Sequence, residues 1–309
     1  MNTFQVTIVG NNSATFSSGR HPSSQWLRYD KYNFLIDCAE GTQLRLLDMG
    51  LNPQKLEVIF ISHLHGDHVL GVLGLLGSMS LGGRVKPLTI FGPVGIKRFI
   101  EVNLEITDTH LGYPLTINEL VETDEPIYKL PDFEVYIFPL EHRITCFGFL
   151  FRECNLKRKI NAGILEANKV PFTYISKLRD GEDFIAADGS VVKNEVLTLP
   201  PPVARSYAYM TDTLYKEANV KYVFGVTVLY HEATFLHNEL ARAEATKHST
   251  ALQAGEMAKK SQVNLLLIGH FSSRYGDLRL LEDEARKNFP YTWAARENYT
   301  FEIDFDKNY

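Results

Sequence analysis

Cysteine is scarce in this sequence, and the few that occur do not build a disulfide framework. There are three in 309 residues, Cys38, Cys146 and Cys154, and none forms a C-x-x-C pair. An odd number without paired spacing predicts free, buried thiols in a reducing compartment. Cys38 lies near candidate metal ligands, but its strand-like surroundings predict a role in core packing.

Long apolar runs and a strong charge bias are also missing. The longest apolar stretch, residues 69–76, is far too short to span a bilayer. Residues 1–6 have neither the basic nor the apolar region of a signal peptide. A net charge of −5 gives no global signature of nucleic-acid or membrane binding. These absences predict a cytoplasmic protein without a membrane partner.

The sequence does contain a mixed pattern of strands and helices. Apolar residues make up 45% of the chain, which is enough for a sizeable core. Strand-like runs follow one another early, at residues 3–9 and 26–37, whereas strands and helices alternate in the last third. No internal repeat is present. This order predicts a single α/β domain over residues 1–309, with two sheets and not one purely parallel sheet.

Four metal-ligand side chains fall within six residues, directly after an apolar strand. Residues 56–61 (LEVIFI) form the predicted strand, and residues 63–68 (HLHGDH) follow it. Imidazole and carboxylate ligands suit zinc, iron or manganese. Their spacing lets them divide between two adjacent ions more easily than crowd around one. A coincidental histidine-rich loop is the alternative.

Three further candidates, His142, Asp212 and His270, each follow a predicted strand. Each alone could be a satisfied polar residue in a turn, but together with the cluster they predict a site of seven ligands. Asp212 is expected to bridge, because a carboxylate can give one oxygen to each ion. Two ions about 3.5–4 Å apart clamp the oxygens of a phosphodiester displacement and generate hydroxide near neutral pH. The first ion is predicted at His63, His65 and His142, and the second at Asp67, His68 and His270.

A departing ribose oxygen needs a proton donor, and His248 is the predicted general acid. Glu232 follows a strand and is expected to orient His248 and keep it protonated. His231 competes with Glu232, but adjacent strand residues face opposite sides, so only one should point into the site. The alternative for His248 is a helix-start residue with Ser249 as the N-cap. With Asp67 from the cluster, His248 and Glu232 are the predicted catalytic residues.

Residues 152–205, here called the insert, break the pattern of strands and helices. They are polar and turn-rich, and they reach LPPP at residues 199–202. Residues 155–179 contain six basic residues against one acid, Glu166, a local charge of +5. Such a segment is a solvated face or a contact surface for polyanions, and its position between two candidate ligands favours a functional loop. The basic residues are Lys157, Arg158, Lys159, Lys169, Lys177 and Arg179.

The cluster at residues 63–68 resembles the signature of the metallo-β-lactamase superfamily. Further motifs make the resemblance more specific: DCAEGTQ at residues 37–43, HEATF at 231–235, HST at 248–250 and HFSSRY at 270–275. Together they resemble the short form of the ribonuclease Z family, the tRNA 3′-processing endonucleases. The motifs come in the family's order and extend over essentially the whole chain.

This resemblance implies a four-layer αβ/βα sandwich, two zinc ions per subunit, with manganese or another divalent ion as the alternative, and a homodimer. It implies cleavage of precursor tRNA after the discriminator nucleotide, which leaves a 3′ hydroxyl on the tRNA. The insert stands where the family's projecting tRNA-binding arm lies, so its basic residues would contact phosphates without reading sequence. The predicted substrate-binding residues are Lys157, Arg158, Lys159, Lys177, Arg179 and Arg274.

The insert also departs from the family's pattern. Residues 170–174 read VPFTY where the family has Gly-Pro just after Val-Pro, and residues 155–161 lack an Arg-Pro-Gly. Ala39 replaces a glycine in the motif at residues 37–43.

Two other functions fit part of the pattern. A general phosphodiesterase, lactonase or arylsulfatase on the same scaffold would share the ligands but would need neither a basic arm nor the pair of His248 and Glu232. A non-catalytic nucleic-acid-binding protein would have a degenerate site, and the complete ligand set argues against it.

Overall fold

The computed structural model describes residues 2–14, 19–168 and 170–305, so Lys169 of the insert lies outside the described residues. The first of two large sheets has seven strands in the order β18-β1-β2-β3-β4-β5-β6. Its strands are β1 (Phe4–Gly10), β2 (Ser24–Tyr29), β3 (Tyr32–Ile36), β4 (Leu56–Phe60), β5 (Leu88–Pro93), β6 (Leu115–Leu120) and β18 (Thr300–Glu302).

The second large sheet also has seven strands, in the order β17-β16-β15-β14-β9-β8-β7. Its strands are β7 (Tyr128–Leu130), β8 (Phe133–Leu140), β9 (Cys146–Glu153), β14 (Ser206–Met210), β15 (Val228–Glu232), β16 (Leu265–Gly269) and β17 (Thr292–Ala294).

Helices accompany both sheets. Those of the first half of the chain are α1 (Thr42–Asp48), α2 (Gly66–Val69), α3 (Gly71–Leu81) and α4 (Ile96–Ile106). Those that follow β14 are α8 (Val220–Val223), α9 (Leu240–Thr246), α10 (Ala251–Lys260) and α11 (Arg279–Arg286).

Three hydrophobic clusters separate four layers. Aromatic side chains fill the space between the sheets, where the rings of Phe34 and Phe133 stack with centroids 5.9 Å apart. A second cluster joins Ile59 of the first sheet to Leu75 of α3, and a third joins the second sheet to α10 and α11. Both faces of β4 are therefore buried, which explains why its sequence does not alternate with polar residues. The predicted α/β sandwich with two sheets is confirmed.

The two sheets present the ends of several strands at one edge. In the first sheet β3, β4 and β5 run parallel, and in the second β14, β15 and β16 run parallel. At this edge the backbone N–H of Phe147 donates to the carbonyl of Ser62 over 3.0 Å, which ties one sheet to the other. Segments that leave these strands therefore meet in one place, and the polar motifs lie in those segments.

The insert leaves the second sheet later than predicted. β9 extends to Glu153, and Arg152 pairs with Ser206 in the ladder, so the first two residues of the predicted range belong to the strand. The remainder contains two small sheets and three short helices: β10 (Lys159–Ile160), β11 (Phe184–Ile185), β12 (Val191–Val192), β13 (Thr198–Leu199), α5 (Ala162–Ala167), α6 (Ile175–Arg179) and α7 (Asn194–Leu197).

The insert has a small hydrophobic core of its own, which its polar sequence did not suggest. Leu165, Leu178, Phe184 and Leu197 are buried together, one from each of four elements. At the base of the insert, Arg205 Nη2 lies 2.6 Å from Glu153 Oε1. The division of the chain into one body domain and an arm stays a prediction.

All three cysteines are free, as predicted from their number and spacing, but only Cys38 and Cys146 are buried, whereas Cys154 is partly exposed. Cys38 packs in the cluster beneath α3, and burial raises the pKa of its thiol. Within the described ranges, no helix has both the length and the apolarity needed to cross a bilayer.

Candidate metal centre

The structure brings the first predicted group of ligands together. His63 and His65 lie in the segment after β4, and His142 lies in the segment after β8. The distance from His65 Nδ1 is 3.0 Å to His63 Nε2 and 3.1 Å to His142 Nε2. Asp212, which follows β14, places its Oδ2 at 3.7 Å from the Nε2 atoms of both His63 and His142.

The second predicted group lies against the other oxygen of Asp212. Asp212 Oδ1 is 3.3 Å from His68 Nε2 and 3.1 Å from His270 Nε2. Asp67 Oδ2 is 3.6 Å from each of the same two nitrogens. The two oxygens of Asp212 therefore face different groups, which is the arrangement that a bridging carboxylate needs.

Hydrogen bonds to the protein fix most of these imidazoles. In four of the five rings, the nitrogen that faces away from the centre contacts a side-chain oxygen or a backbone carbonyl at 2.7–3.0 Å. Such a bond orients the ring and directs the other nitrogen to the centre, as in protein metal sites. The four contacts are His63 with Ser62, His68 with Asp37, His142 with Lys247 and His270 with Thr234.

The electrostatics of the site also fit a bound cation. Burial lowers the pKa of His63 and of His142, which favours the neutral imidazole that binds metals. Burial alone would also lower the pKa of His68, but the carboxylates Asp212, Asp37 and Asp67 outweigh it and raise that pKa well above its ordinary value. The surroundings of His68 therefore attract positive charge, which a divalent ion would supply.

Asp37 is a functional residue whose role was not predicted from the sequence. Its carboxylate accepts hydrogen bonds from the Ser62 backbone and hydroxyl at 2.7 and 2.9 Å, and from Tyr209 at 2.8 Å. It also lies 2.7 Å from His68 Nδ1. The backbone φ of 57° lies in the left-handed region, which aspartate tolerates better than most residues. The available signal was an aspartate directly after buried strand β3, next to the strand that carries the cluster.

A short loop after β1 makes backbone hydrogen bonds to the segments that carry Asp67 and His270, two members of the second ligand group. The backbone N–H of Ala14 donates to Asp67 Oδ2 over 2.7 Å, and that of Ser13 donates to the carbonyl of Phe271 over 3.0 Å. Phe271 directly follows His270, whose φ is 57°. The loop therefore contacts both chain segments that supply ligands to this group.

The predicted acid and its partner are adjacent and buried. His248 Nδ1 lies 3.0 Å from Glu232 Oε1 and 4.0 Å from Asp212 Oδ2. Burial would lower the pKa of His248, but the charge and hydrogen bond of Glu232 outweigh it and raise that pKa to about 9. In the same pair, burial would raise the pKa of Glu232, but His248 outweighs it and lowers that pKa.

The structure excludes both alternatives to the pair of His248 and Glu232. His231 Nδ1 contacts the carbonyl of Glu232 at 2.6 Å, and only Glu232 points its side chain to His248. The N-cap of α10 is Thr250, with a capping box completed by Gln253, so the alternative that made Ser249 the cap is wrong. The hydroxyl of Ser249 instead donates to the carbonyl of Thr213. His248 precedes the cap and is free to face the metal ligands.

The predicted substrate-binding residues fall into two places. A cavity of about 870 Å³ at the base of the insert is lined by Lys157, Arg158, Lys159 and Arg179. Lys157 pairs with Asp180, and Arg158 Nε donates to Thr198 over 2.7 Å. In the described part of the chain, the side chains of Lys159 and Arg179 have no ion-pair partner.

The remaining two residues of the predicted set do not line this cavity. Lys177 lies over the ring of Tyr174, elsewhere on the insert. Arg274 lies over the ring of Phe235, whose centroid is 6.1 Å from that of His248. Its guanidinium also pairs with Glu239 at 3.0 Å. Arg274 is therefore the one member of the set next to the metal centre.

Two solved structures share this architecture along nearly their whole length. The short form of human tRNase Z has a TM-score of 0.70 and 27% identity, covering 97% of this chain and 99% of that chain. The metallo-β-lactamase fold protein YhfI from Bacillus subtilis has a TM-score of 0.71 at 18% identity, covering 98% of this chain and 100% of that chain. The fold and the ligand set define a divalent-metal hydrolase of the metallo-β-lactamase fold.

Sequence relatives narrow this class to one family. The ribonuclease Z of Bacteroides thetaiotaomicron is 40% identical over 98% of this chain and 96% of that protein. The ribonuclease Z of Cytophaga hutchinsonii is 41% identical over 97% of this chain and 96% of that protein. The family model of the Anti-Pycsar protein Apyc1 matches residues 4–98, less than half of the chain. The chain belongs to the ribonuclease Z family and is an endoribonuclease.

Proposed function

We propose that this chain removes the 3′ trailer of precursor tRNA, cleaving after the discriminator nucleotide to leave a 3′ hydroxyl on the tRNA. The observation that supports it best is the pair of His248 and Glu232 beside the seven candidate ligands. A proton donor at this place suits a leaving group as basic as a ribose oxygen. The relatives named ribonuclease Z cover nearly the whole chain, which supports the same substrate.

The resident metal is proposed to be two zinc ions, with manganese as the alternative. His63, His65 and His142 would hold the first ion, Asp67, His68 and His270 the second, and Asp212 would bridge them. Nitrogen and carboxylate ligands in this number suit either metal. When bound, such ions supply Lewis acidity to the phosphodiester and lower the pKa of water to near neutrality.

The side chains around the centre account for the movement of protons. His248 is proposed to donate its proton to the departing 3′ oxygen of the discriminator ribose, while the phosphate stays on the trailer. Glu232 keeps His248 protonated and, through its contact with the Thr213 backbone N–H at 2.7 Å, fixes its own position. Asp67 remains ionised, because His68 and His270 outweigh the effect of burial and lower its pKa. It is proposed to orient the attacking water.

The insert is proposed to be the arm that binds tRNA within a single-domain enzyme. Lys157, Arg158, Lys159 and Arg179 share one cavity, and such a group of cations can contact several phosphates at once. Lys177 and Arg274 are proposed as further contacts. A homodimer is proposed as well, because an arm remote from the metal centre can hold a substrate that a partner subunit cleaves. A cytoplasmic location is also proposed, and the proposed action on precursor tRNA supports it.

Incubation of the purified, metal-loaded protein with a 3′-extended precursor tRNA tests this function directly. Mapping of the product ends is expected to show one cut after the discriminator, with a 3′ hydroxyl on the tRNA. Hydrolysis of bis(p-nitrophenyl) phosphate without cleavage of the precursor would instead assign a general phosphodiesterase. Metal analysis is expected to give two ions per chain, and removal of metal by a chelator is expected to abolish activity.

His248 needs a separate test, because it lies close enough to Asp212 and His270 to serve as a ligand. In the His248→Ala variant, cleavage is expected to slow while metal content stays normal. Loss of metal in that variant would place His248 among the ligands and remove it as the acid. The exposed His110, which lies outside the site, provides the matched control in His110→Ala.

A further inference from the structure

Two arginines near His248 have no role in the proposed mechanism. Arg143 is exposed and lies in the segment between β8 and β9, directly after the ligand His142. Arg242 is exposed on α9. No ion pair joins either guanidinium to a described residue. A guanidinium is always charged and prefers carboxylate or phosphate as its partner.

Both arginines lie close to the acid. The ring of His142 is 5.2 Å from that of His248, and Arg143 is the next residue along the chain. Arg242 lies over Phe235 at 5.8 Å, and the Phe235 ring is 6.1 Å from that of His248. Lys247 directly follows α9, and its Nζ donates to the carbonyl of His142 over 3.3 Å, so the segment that carries Arg143 lies against the end of the helix that carries Arg242.

Two other cations near His248 are each paired with an acid, unlike Arg143 and Arg242 in the described part of the chain. Lys247 pairs with Glu141 at 2.7 Å, and Arg274 pairs with Glu239 at 3.0 Å although it shares the Phe235 ring with Arg242. Arg143 and Arg242 are therefore left available to a bound anion, so this surface favours a substrate that brings negative charge in addition to the scissile phosphate.

We propose that Arg143 and Arg242 form a two-point clamp on the backbone phosphates that flank the scissile phosphate of the RNA. This inference rests on the proposed function, since only a polynucleotide has such neighbouring phosphates. The clamp distinguishes an RNA chain from a small phosphodiester, and it does so without reading bases. The two contacts come from different elements, which fixes the direction of the chain across His248.

Binding measurements separate the clamp from catalysis. In metal-loaded His248→Ala enzyme, which binds without efficient cleavage, Arg143→Ala and Arg242→Ala are each expected to weaken binding of a short RNA spanning the cleavage site by about tenfold. Each loss is also expected to reduce the slope of log affinity against log salt by about 0.7. Arg98 is an exposed arginine on α4 with no ion-pair partner among the residues that the structure describes, and Arg98→Ala is the matched control.

Neutral linkages in the RNA identify the phosphate that each arginine contacts. A methylphosphonate at one flanking position removes one charge, and its effect is expected to be non-additive with one of the two arginine substitutions. Arg143→Lys retains the charge but not the planar fork, so its affinity should fall between those of wild type and Arg143→Ala.

Two outcomes would overturn the clamp. Binding by both arginine variants equal to that of Arg98→Ala would show that neither contacts RNA. An equal fall in metal content or in hydrolysis of bis(p-nitrophenyl) phosphate would show that they support the metal centre instead. Failure of the wild-type enzyme to cut precursor tRNA would contradict the proposed function. The comparison of RNA binding would still test whether Arg143 and Arg242 contact the RNA.

Discussion

Glu232 Oε1 lies 3.0 Å from His248 Nδ1, and both side chains are buried beside the carboxylate of Asp212. A buried carboxylate that touches only one basic group has a strong effect on the protonation of that group. Here it raises the pKa of His248 to about 9, so the imidazolium is the main form at neutral pH. An acid that is protonated before the substrate arrives is what departure of a ribose oxygen requires.

Glu232→Gln should move the alkaline limb of the pH profile. In the wild type, activity that needs protonated His248 is present below a pH of about 9 and is lost as pH rises through it. Removal of the carboxylate charge lowers the pKa of His248, so the limb moves to lower pH. His248→Ala should lower kcat about 10²- to 10⁴-fold and remove the limb. The measurement is kcat on precursor tRNA against pH, with His110→Ala as control, and an unchanged limb in Glu232→Gln would contradict the pairing.

Asp37→Ala should weaken metal binding without removing a ligand. The carboxylate contacts Ser62, Tyr209 and His68. Its loss therefore leaves the ring of His68, which belongs to the second group of candidate metal ligands, free to rotate. Loss of such an outer partner typically costs about 10- to 100-fold in metal affinity. Chelator competition measures this change.

Tyr209→Phe provides the graded control for Asp37. It removes one donor to the same carboxylate and leaves the contact with His68 intact, so its effect should be several-fold smaller. Equal metal affinity in wild type and Asp37→Ala would show that the ring of His68 is oriented by other contacts.

Strand ends made the ligand candidates predictable. A run of apolar residues followed by a histidine or aspartate marks the edge where strands of one sheet meet, and His142, Asp212 and His270 were identified in this way. The same reasoning could not find the contacts of Asp37 with Ser62 and Tyr209. Those contacts depend on the register between strands and on the packing of one sheet over the other, which local sequence does not specify.

The insert shows the opposite limit of sequence reasoning. Its four core residues come from separate short stretches of the insert, so no periodic run marks them. Pairing of β10 with β13 joins residues far apart in sequence. In the alternative for His248, Ser249 was the N-cap because Ser is a slightly better cap than Thr, but the capping box with Gln253 selects Thr250 by its spacing.

Deletion of residues 155–203 should separate RNA cleavage from hydrolysis of a small substrate. The ends of the insert meet at the ladder, where the Glu153 backbone N–H donates to the carbonyl of Arg205 over 3.0 Å, so a short Gly-Ser linker can join them. The deletion removes only the local core and leaves the three clusters of the body intact. We expect kcat/KM on precursor tRNA to fall about 10²-fold or more. Hydrolysis of bis(p-nitrophenyl) phosphate should persist.

A point variant checks that the deletion acts through charge. Lys159→Ala combined with Arg179→Ala removes two unpaired cations from the cavity at the base of the insert without touching its core. This double variant should raise KM for precursor tRNA. Its KM should also depend less steeply on salt concentration than the KM of the wild type. Equal loss of both activities in the deletion would instead mean that the insert supports the body.

Two glycines of α3 should respond oppositely to alanine. At Gly71 an added Cβ would lie 1.9 Å from the carbonyl oxygen of Ala39, so the helix or the Asp37 segment must move. At Gly77 nothing lies within 4 Å, and alanine favours the helix by about 0.5–1 kcal/mol over glycine. Gly71→Ala should lower the free energy of unfolding by about 1–3 kcal/mol, and Gly77→Ala should raise it.

The Gly71 contact also connects packing to the metal centre. The Gly71 backbone N–H donates to the carbonyl of Cys38 over 2.9 Å, and Cys38 directly follows Asp37. Displacement of α3 therefore shifts the carboxylate that holds His68. Urea unfolding with metal titration should show that Gly71→Ala loses both stability and metal affinity, whereas Gly77→Ala retains the affinity. Lost stability with normal metal affinity in Gly71→Ala would mean that the Asp37 segment is held by the strands and not by α3.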